Sequence, residues 1–388
     1  MGRTFRDDEG AIVIIAAMMS AVLILGMGAI VIDVGLLYGE KEQLQSGADF
    51  ASWKVAQACI AAPAACTSAG QADNARVYAE KNAKDTRADA QVCVNNLNCP
   101  VWGTTATCPA PPAITGNYDT AEVRTSTRNT DNTRLMPPVF GRALTNGVYQ
   151  GKQVGACARV VWGVPVAENA LAMGVSKCDW DRMTNGGKKF YALPGLDPLM
   201  QQTGLYSLLG LEAPVDNAIA ISNPLLSFCN NPLDHTSSSG YAWLTSASNC
   251  HIDVTTSTTG VQTWVTAPAL NLLAAINCTS ELAAARASGK PVLVPIYDSA
   301  VGATNILPAA YRIIGFAPFV VTGYTTLLGT LTNVPSILTN TVPGIASTLC
   351  GLQRCVYGYF TKSIIPEHLP TKFGTTQNFG LTVIGRTG

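Results

Sequence analysis

Charge is scarce in this chain. Asp, Glu, Lys and Arg make up 13% of its 388 residues, about half the ~25% usual for soluble globular domains. The 25 basic and 25 acidic residues cancel. The basic excess that a nucleic-acid surface requires is therefore missing, and nucleic acid is not an expected partner. Histidine is rarer still: His235, His251 and His368 lie far apart, and no CxxC pair occurs anywhere. Zinc-type ligand spacing is absent.

Catalytic motifs are missing as well. There is no GxSxG elbow, HExxH, P-loop or GxGxxG. His235 lies in NPLDHTSSSG beside Asp234 and three serines. Neighbours in one polar loop do not make a triad, whose members are set by a scaffold. Asp298 and Ser299 end a strand-like run, but the metal-binding pattern DxSxS would need serines where Ala300 and Gly302 stand. Asn277-Cys278-Thr279 is a formal glycosylation sequon of low specificity. The expectation is a non-enzymatic protein with no cofactor and no metal. An anchored secreted hydrolase is the reading from another class, and it lacks a nucleophile or metal constellation.

What the chain does have is one long apolar run. Ala11 to Ile32 carries no charge, and Ser20 is its only polar side chain. As a helix at ~1.5 Å per residue it is about 33 Å long, enough to cross a bilayer core. A cleaved secretory signal would have an apolar region of ~7–15 residues followed by small residues. Here good helix formers continue beyond Asp33 without a break, so an anchor is expected. Arg3 and Arg6 precede the run and Lys41 follows it, which favours the N-terminus inside.

Past the run the helix turns amphipathic. Leu37, Leu44, Ala48, Ala51, Val55 and Ala58 form a narrow stripe of mostly small residues. Two readings stand: packing of the helix on its own domain, which is favoured, or lateral packing in an oligomer or filament. Gly35 and Gly39 add a GxxxG at the membrane edge, a weak helix-packing signal alone.

Twelve cysteines follow the apolar run: Cys59, Cys66, Cys93, Cys99, Cys108, Cys157, Cys178, Cys229, Cys250, Cys278, Cys350 and Cys355. An even number without metal spacing reads as disulfides in an oxidising compartment, which agrees with an external domain. Cys59–Cys66 and Cys350–Cys355 are expected as local loops. Cys229–Cys250 would enclose a Ser-rich loop. Cys93, Cys99, Cys108 and Cys157 are expected to pair among themselves, with three arrangements open.

The body reads as strands with some helix. Gln71–Lys84 is expected as a second helix, antiparallel to the first, and Val139–Leu144 as a short helical connection. Ala90–Asn95, Ala121–Arg128 and Gly155–Gly163 are strand-like, the last two as partners in a helix-covered antiparallel sheet. Pro291–Ser299 and Ala310–Tyr324 read as a central hairpin; Cys355–Phe360 and Phe379–Ile384 are later strands. Leu193–Phe228 and Leu327–Leu349 are low in charge but broken by Pro and Gly, so neither reads as a second span. The expected fold is α+β: a long N-terminal transmembrane helix followed by a disulfide-rich, mainly antiparallel β extracytoplasmic domain. The expected organisation is a cytoplasmic N-terminus at 1–10, the transmembrane helix at 11–34 and its extension at 35–60. A helix-plus-sheet region at 61–163 and a loop-rich, disulfide-bonded β region at 164–388 complete it.

The N-terminal residues resemble a known family. Arg6-Asp7-Asp8-Glu9-Gly10, the apolar run, Ile32-Asp33-Val34-Gly35-Leu36-Leu37-Tyr38, Gln43-Leu44-Gln45 and Ala48-Asp49 are similar to the Tad-like region of TadE- and TadG-related proteins. Those proteins belong to the tight-adherence (Flp) pilus machinery. The remainder resembles actinobacterial members through Phe140-Gly141-Arg142, Ala158–Gly163, Cys178-Asp179-Trp180, Val292–Asp298, Gly315-Phe316-Ala317 and Arg354–Phe360. These family-like segments also suggest a Cys178–Cys278 bridge. Ile15 stands where a prepilin carries Glu, and DxSxS is incomplete. The resemblance therefore implies neither pilin-type cleavage nor the von Willebrand A metal site of larger TadG proteins. It implies a single-pass anchored protein with its C-terminal domain extracellular, acting in pilus assembly, surface adhesion or as a minor-pilin-like subunit. A filament-forming subunit packed through the N-terminal helix is the alternative. The partners implied are the lipid bilayer, other pilus-system or surface subunits, and further copies of the chain in an oligomer or filament.

Overall fold

The computed structural model describes residues 6–95, 108–193, 211–212, 217–220, 240–246, 250–256, 263–267, 278–301, 310–324, 355–368, 372–375 and 377–387. Helix α1, Arg6–Ala61, runs 56 residues without interruption, about 84 Å at ~1.5 Å per residue. The first proline in the chain, Pro63, opens the 3-10 turn Pro63–Ala65 that ends it.

The two halves of α1 live in different surroundings. From Ile12 to Val34 its large apolar side chains are all exposed. The Ser20 hydroxyl donates to the Ala16 carbonyl at 2.7 Å, the way a hydroxyl is satisfied inside an apolar helix. Farther on, Leu44, Ala48, Ala51, Val55 and Cys59 are buried. Their steps of four, three, four and four keep them on one face of a 3.6-residue period.

After the turn, helix α2 (Ala72–Asn82) returns antiparallel along α1 and buries Ala75 and Ala79. The approach is close: a Cβ at Gly47 would stand 3.3 Å from the Ala79 carbonyl oxygen. Small residues at this contact set the helix separation.

The strands follow in order. β1 is Ala88–Val94 and β2 Tyr118–Thr127; the short β3 (Leu135–Met136) and β4 (Lys152–Gln153) flank helix α3 (Gly141–Leu144). Next come β5 (Gly155–Gly163), β6 (Ala167–Leu171), β7 (Met173–Ser176), helix α4 (Lys177–Thr184), β8 (Phe190–Tyr191), β9 (Leu211–Glu212) and β10 (Asn217–Ala220). β11 (Tyr241–Trp243), β12 (His251–Thr255), β13 (Thr263–Thr266), helix α5 (Thr279–Ser288), β14 (Val292–Val301) and β15 (Ala310–Tyr324) precede β16 (Cys355–Phe360), β17 (Ser363–His368) and β18 (Leu381–Arg386).

Two large sheets organise most of these strands, and β12 with β6, β3 with β4, and β8 with β9 form two-stranded sheets of their own. The first has order β1-β2-β5-β18-β17, and β2 and β5 pair antiparallel from Tyr118–Gly163 to Ser126–Gly155. Ala121 and Val123 on one face of β2 join Ala51, Val55 and Ala75 in a common core, so α1 and α2 cover that face. The second sheet runs β10-β16-β15-β14-β7-β11, with β13 also on β15. β14 and β15 are the expected hairpin, antiparallel from Val292–Phe319 to Val301–Ala310. Its core holds Trp180, Trp243, Tyr297, Phe316, Phe319 and Phe360. Gly358 is required there, because a Cβ at that position would stand 2.6 Å from the Phe319 ring.

The fold is thus a long apolar helix followed by a mainly antiparallel, disulfide-bonded β body. Among the described strands, three pairings are parallel: β17 with β18, β14 with β7, and β8 with β9. The connection from His368 to Leu381 supplies the dozen or so residues a parallel neighbour needs. The first sheet takes its last two strands from the C-terminal end of the chain. Leu193–Phe228, apart from Leu193, β9 and β10, lies outside the described residues, as do Leu327–Leu349 and His235.

Candidate functional site

The residues that join the free half of α1 to the body form the most distinctive local arrangement. Asp33 directly follows the apolar run. Its carboxylate accepts backbone N–H groups from Val139 at 2.8 Å, Phe140 at 3.2 Å and Gly141 at 2.6 Å. These amides open α3, whose single turn leaves its first N–H groups without internal partners. A carboxylate answers them in both hydrogen bonding and charge. Gly141 leaves room for it: a Cβ there would stand 3.0 Å from both the Asp33 carboxylate and the Tyr149 ring.

Beside this clasp is a cleft of about 420 Å³, lined by Val34, Leu37, Tyr38 and Lys41 of α1 and by Lys152–Gly155. Lys41 and Lys152 are exposed at its rim. Leu37 is partly buried and packs toward the cluster of Leu44, Ala79, Val154 and Ala156. One turn farther on, burial pushes the Glu40 carboxyl above its usual range; a Thr127 hydrogen bond opposes this and the Asp85 charge adds to it.

The helix-stripe residues divide at the cleft. Leu44, Ala48, Ala51 and Val55 are wholly committed to the body. Thr125 donates its hydroxyl to the Leu44 carbonyl at 2.9 Å, and Gln45 donates to the Cys157 carbonyl at 3.1 Å. Gly35 and Gly39 face open space, with nothing within 4 Å of a Cβ built on either.

Disulfides brace the body. Cys59–Cys66 closes the turn after α1 with a Cα–Cα separation of 4.7 Å. Cys108–Cys157 is one of the pairings left open within its group of four, at 5.1 Å. Cys250 pairs with Cys278 at 5.1 Å, which corrects both expected bridges that used these residues, Cys229–Cys250 and Cys178–Cys278. Cys250 sits in a left-handed turn (φ 58) entering β12, and Cys278 starts α5. The fold brings these two ends together, which loop length along the chain did not reveal. Cys93, Cys178 and Cys355 are disulfide-bonded too, while Cys99, Cys229 and Cys350 lie outside the described residues.

Several chemistry-bearing groups among the described residues are engaged in structural contacts. Cys108, Cys157 and Glu122 lie close enough to resemble a metal-ligand set, but the sulfurs are bonded to each other. Glu122, 1% exposed, is ion-paired with Arg159 and, at 2.6 Å, with Arg124. Arg159 also donates to the Pro109 carbonyl at 2.9 Å. Both Asp298 oxygens accept from Arg312, at 2.7 and 2.8 Å. Asp179 of the Cys178-Asp179-Trp180 segment is buried, accepts from the Ser176 hydroxyl at 2.6 Å and from the Gly240 amide, and pairs with Arg182. It locks α4 to β11.

The clasp itself has no signature in the sequence. Asp33 and Phe140-Gly141-Arg142 both fell in family-like segments, but nothing in their spacing indicated contact. No curated protein and no solved structure matches the chain. Residues 10–58, which hold the apolar half of α1, Asp33 and the packed stripe, match the model of the Tad family of Flp pilus-assembly TadE/G-like proteins, and over those residues the chain is similar to that family.

Proposed function

We propose that this protein is a membrane-anchored, non-enzymatic component of an Flp-type pilus system. It crosses the bilayer once through the first half of α1 and presents its disulfide-braced body outside the cell. There it acts in pilus assembly or adhesion, or as a minor-pilin-like subunit. The observation that carries this reading is the division of α1. One half is long and apolar enough to cross a membrane and buries nothing against the body. The other packs beside α2 on one face of the first sheet. Exposed apolar side chains along the first half demand a non-aqueous neighbour. Disulfides favour the oxidising side for the body.

Fractionation with protease treatment of intact cells tests it. The full chain should resist alkaline extraction from membranes, and external protease should reach a C-terminal tag. Extraction with the soluble fraction, or a tag protected in intact cells, would remove the proposal.

A second reading has one observation in its favour: Gly35 and Gly39 are open to a neighbouring helix. Close helix approach at GxxxG suits a filament built on α1. Recovery of the chain in sheared pilus filaments, with little left in the membrane, would select it over the anchor.

A further inference from the structure

We propose that the loop Pro137–Tyr149, with α3 at its centre, is an interfacial element that lies in the headgroup region of the bilayer crossed by α1. This rests on the anchored reading and assigns the second contact between protein and lipid.

Placement is the first argument. Helix side chains tilt toward the N-terminus of their helix. The Asp33 carboxylate therefore reaches back over the end of the apolar run, and the three amides it binds are held at that level. The loop is pinned where the span leaves the hydrocarbon.

Composition is the second. Beyond Tyr38, the exposed large apolar side chains among the described residues are Phe50, Val77, Leu135, Val139, Phe140, Leu144, Val148, Trp264 and Val301. Five of these nine lie between residues 135 and 148. Val139 is 57% exposed, Phe140 42%, Leu144 56% and Val148 83%. From Pro137 to Gln150 the only charge is Arg142. A water-facing loop gains nothing from this clustering, whereas apolar side chains beside a span gain by burial in lipid. The surroundings agree: exposed Tyr38 lines the adjoining cleft with Lys41 and Lys152, and Arg142 is exposed on the loop itself. Amphipathic aromatics and snorkelling cations are the residues that settle at headgroups. The patch continues the apolar collar of the span, which identifies lipid and not a separate protein as its occupant.

The test uses the full chain in phosphatidylcholine vesicles whose acyl chains are brominated either near the headgroup or near the methyl end. F140W and V148W report on the loop, I24W on the middle of the span, and V77W on the body. The expected result is that F140W and V148W lose most of their added emission to the shallow quencher and less to the deep one. I24W should show the reverse, and V77W should lose little to either. If the loop reporters escape both quenchers while I24W is quenched, the loop is outside the lipid; the inference falls and the anchor stands. Blue-shifted but unquenched loop emission would mean a second protein copy covers it, which also overturns the inference. If I24W escapes as well, the anchored reading fails and takes the inference with it.

Discussion

Asp33 holds a loop more than a hundred residues away through three amides. D33N keeps the shape and removes the charge that strengthens those bonds. Hydrogen exchange at residues 139–141 should become several-fold faster, while the Leu44–Val55 core keeps its protection. Unchanged exchange at 139–141 would show that the loop is held by packing alone. Glu122 is a different case, because it is buried between two arginines. Removing one partner of a buried ion pair costs ~3–5 kcal/mol, and E122Q should lower stability toward denaturant by about that much. Glu40 supplies a pH dependence. Its carboxyl is raised in the folded protein, chiefly by burial, so the folded state binds a proton more tightly than the unfolded chain. The stabilisation it contributes is complete below its ordinary range and is lost as pH rises through the raised value. E40Q should flatten the thermal-stability profile across that acid window and raise stability at neutral pH.

At the scale of elements, α1 behaves as two helices in one. Leu44 is 2% exposed, and truncating such a leucine typically costs ~2–5 kcal/mol. L44A should therefore destabilise the body by that amount in detergent, while L25A, at an exposed site in the free half, should leave it unchanged. Equal effects would show that the free half also packs on the body. The Cys250–Cys278 bridge joins the turn before β12 to the start of α5. Replacing both cysteines with serine should cost about 2–4 kcal/mol, the usual contribution of a bridge. Much at this scale was legible beforehand. The runs AEVRTSTR and GACARVVWG paired as β2 and β5, and PVLVPIYDS with AYRIIGFAPFVVTGY formed β14 and β15. Dense β-branched and aromatic runs bounded by turn residues carry their own signal.

For the molecule as a whole, the first sheet depends on both ends of the chain. β18 pairs with β5, Ile384 joins the core under α1, and Arg386 reaches Asp49 of that helix at 3.0 Å. A chain ending at Lys362 would expose the β5 edge and lack that core. It should fail to yield the protease-resistant body that the full chain forms; a resistant body of near-full size from the truncated chain would show the sheet to be independent of its last strands.

The apolar run of α1, the amphipathic stripe after it, the disulfide chemistry of the body and the Tad resemblance of the first sixty or so residues all follow from local sequence. Each is written in consecutive or periodic residues, so helix geometry and composition suffice to read it. The tertiary structure alone decided the rest. Cys250 chose Cys278 because the fold sets their Cα atoms 5.1 Å apart, the range a disulfide can span. The last strands joined the first sheet because β5 had an edge to be paired. Asp33 met Val139–Gly141 because the fold set its carboxylate against the amides that lead into α3.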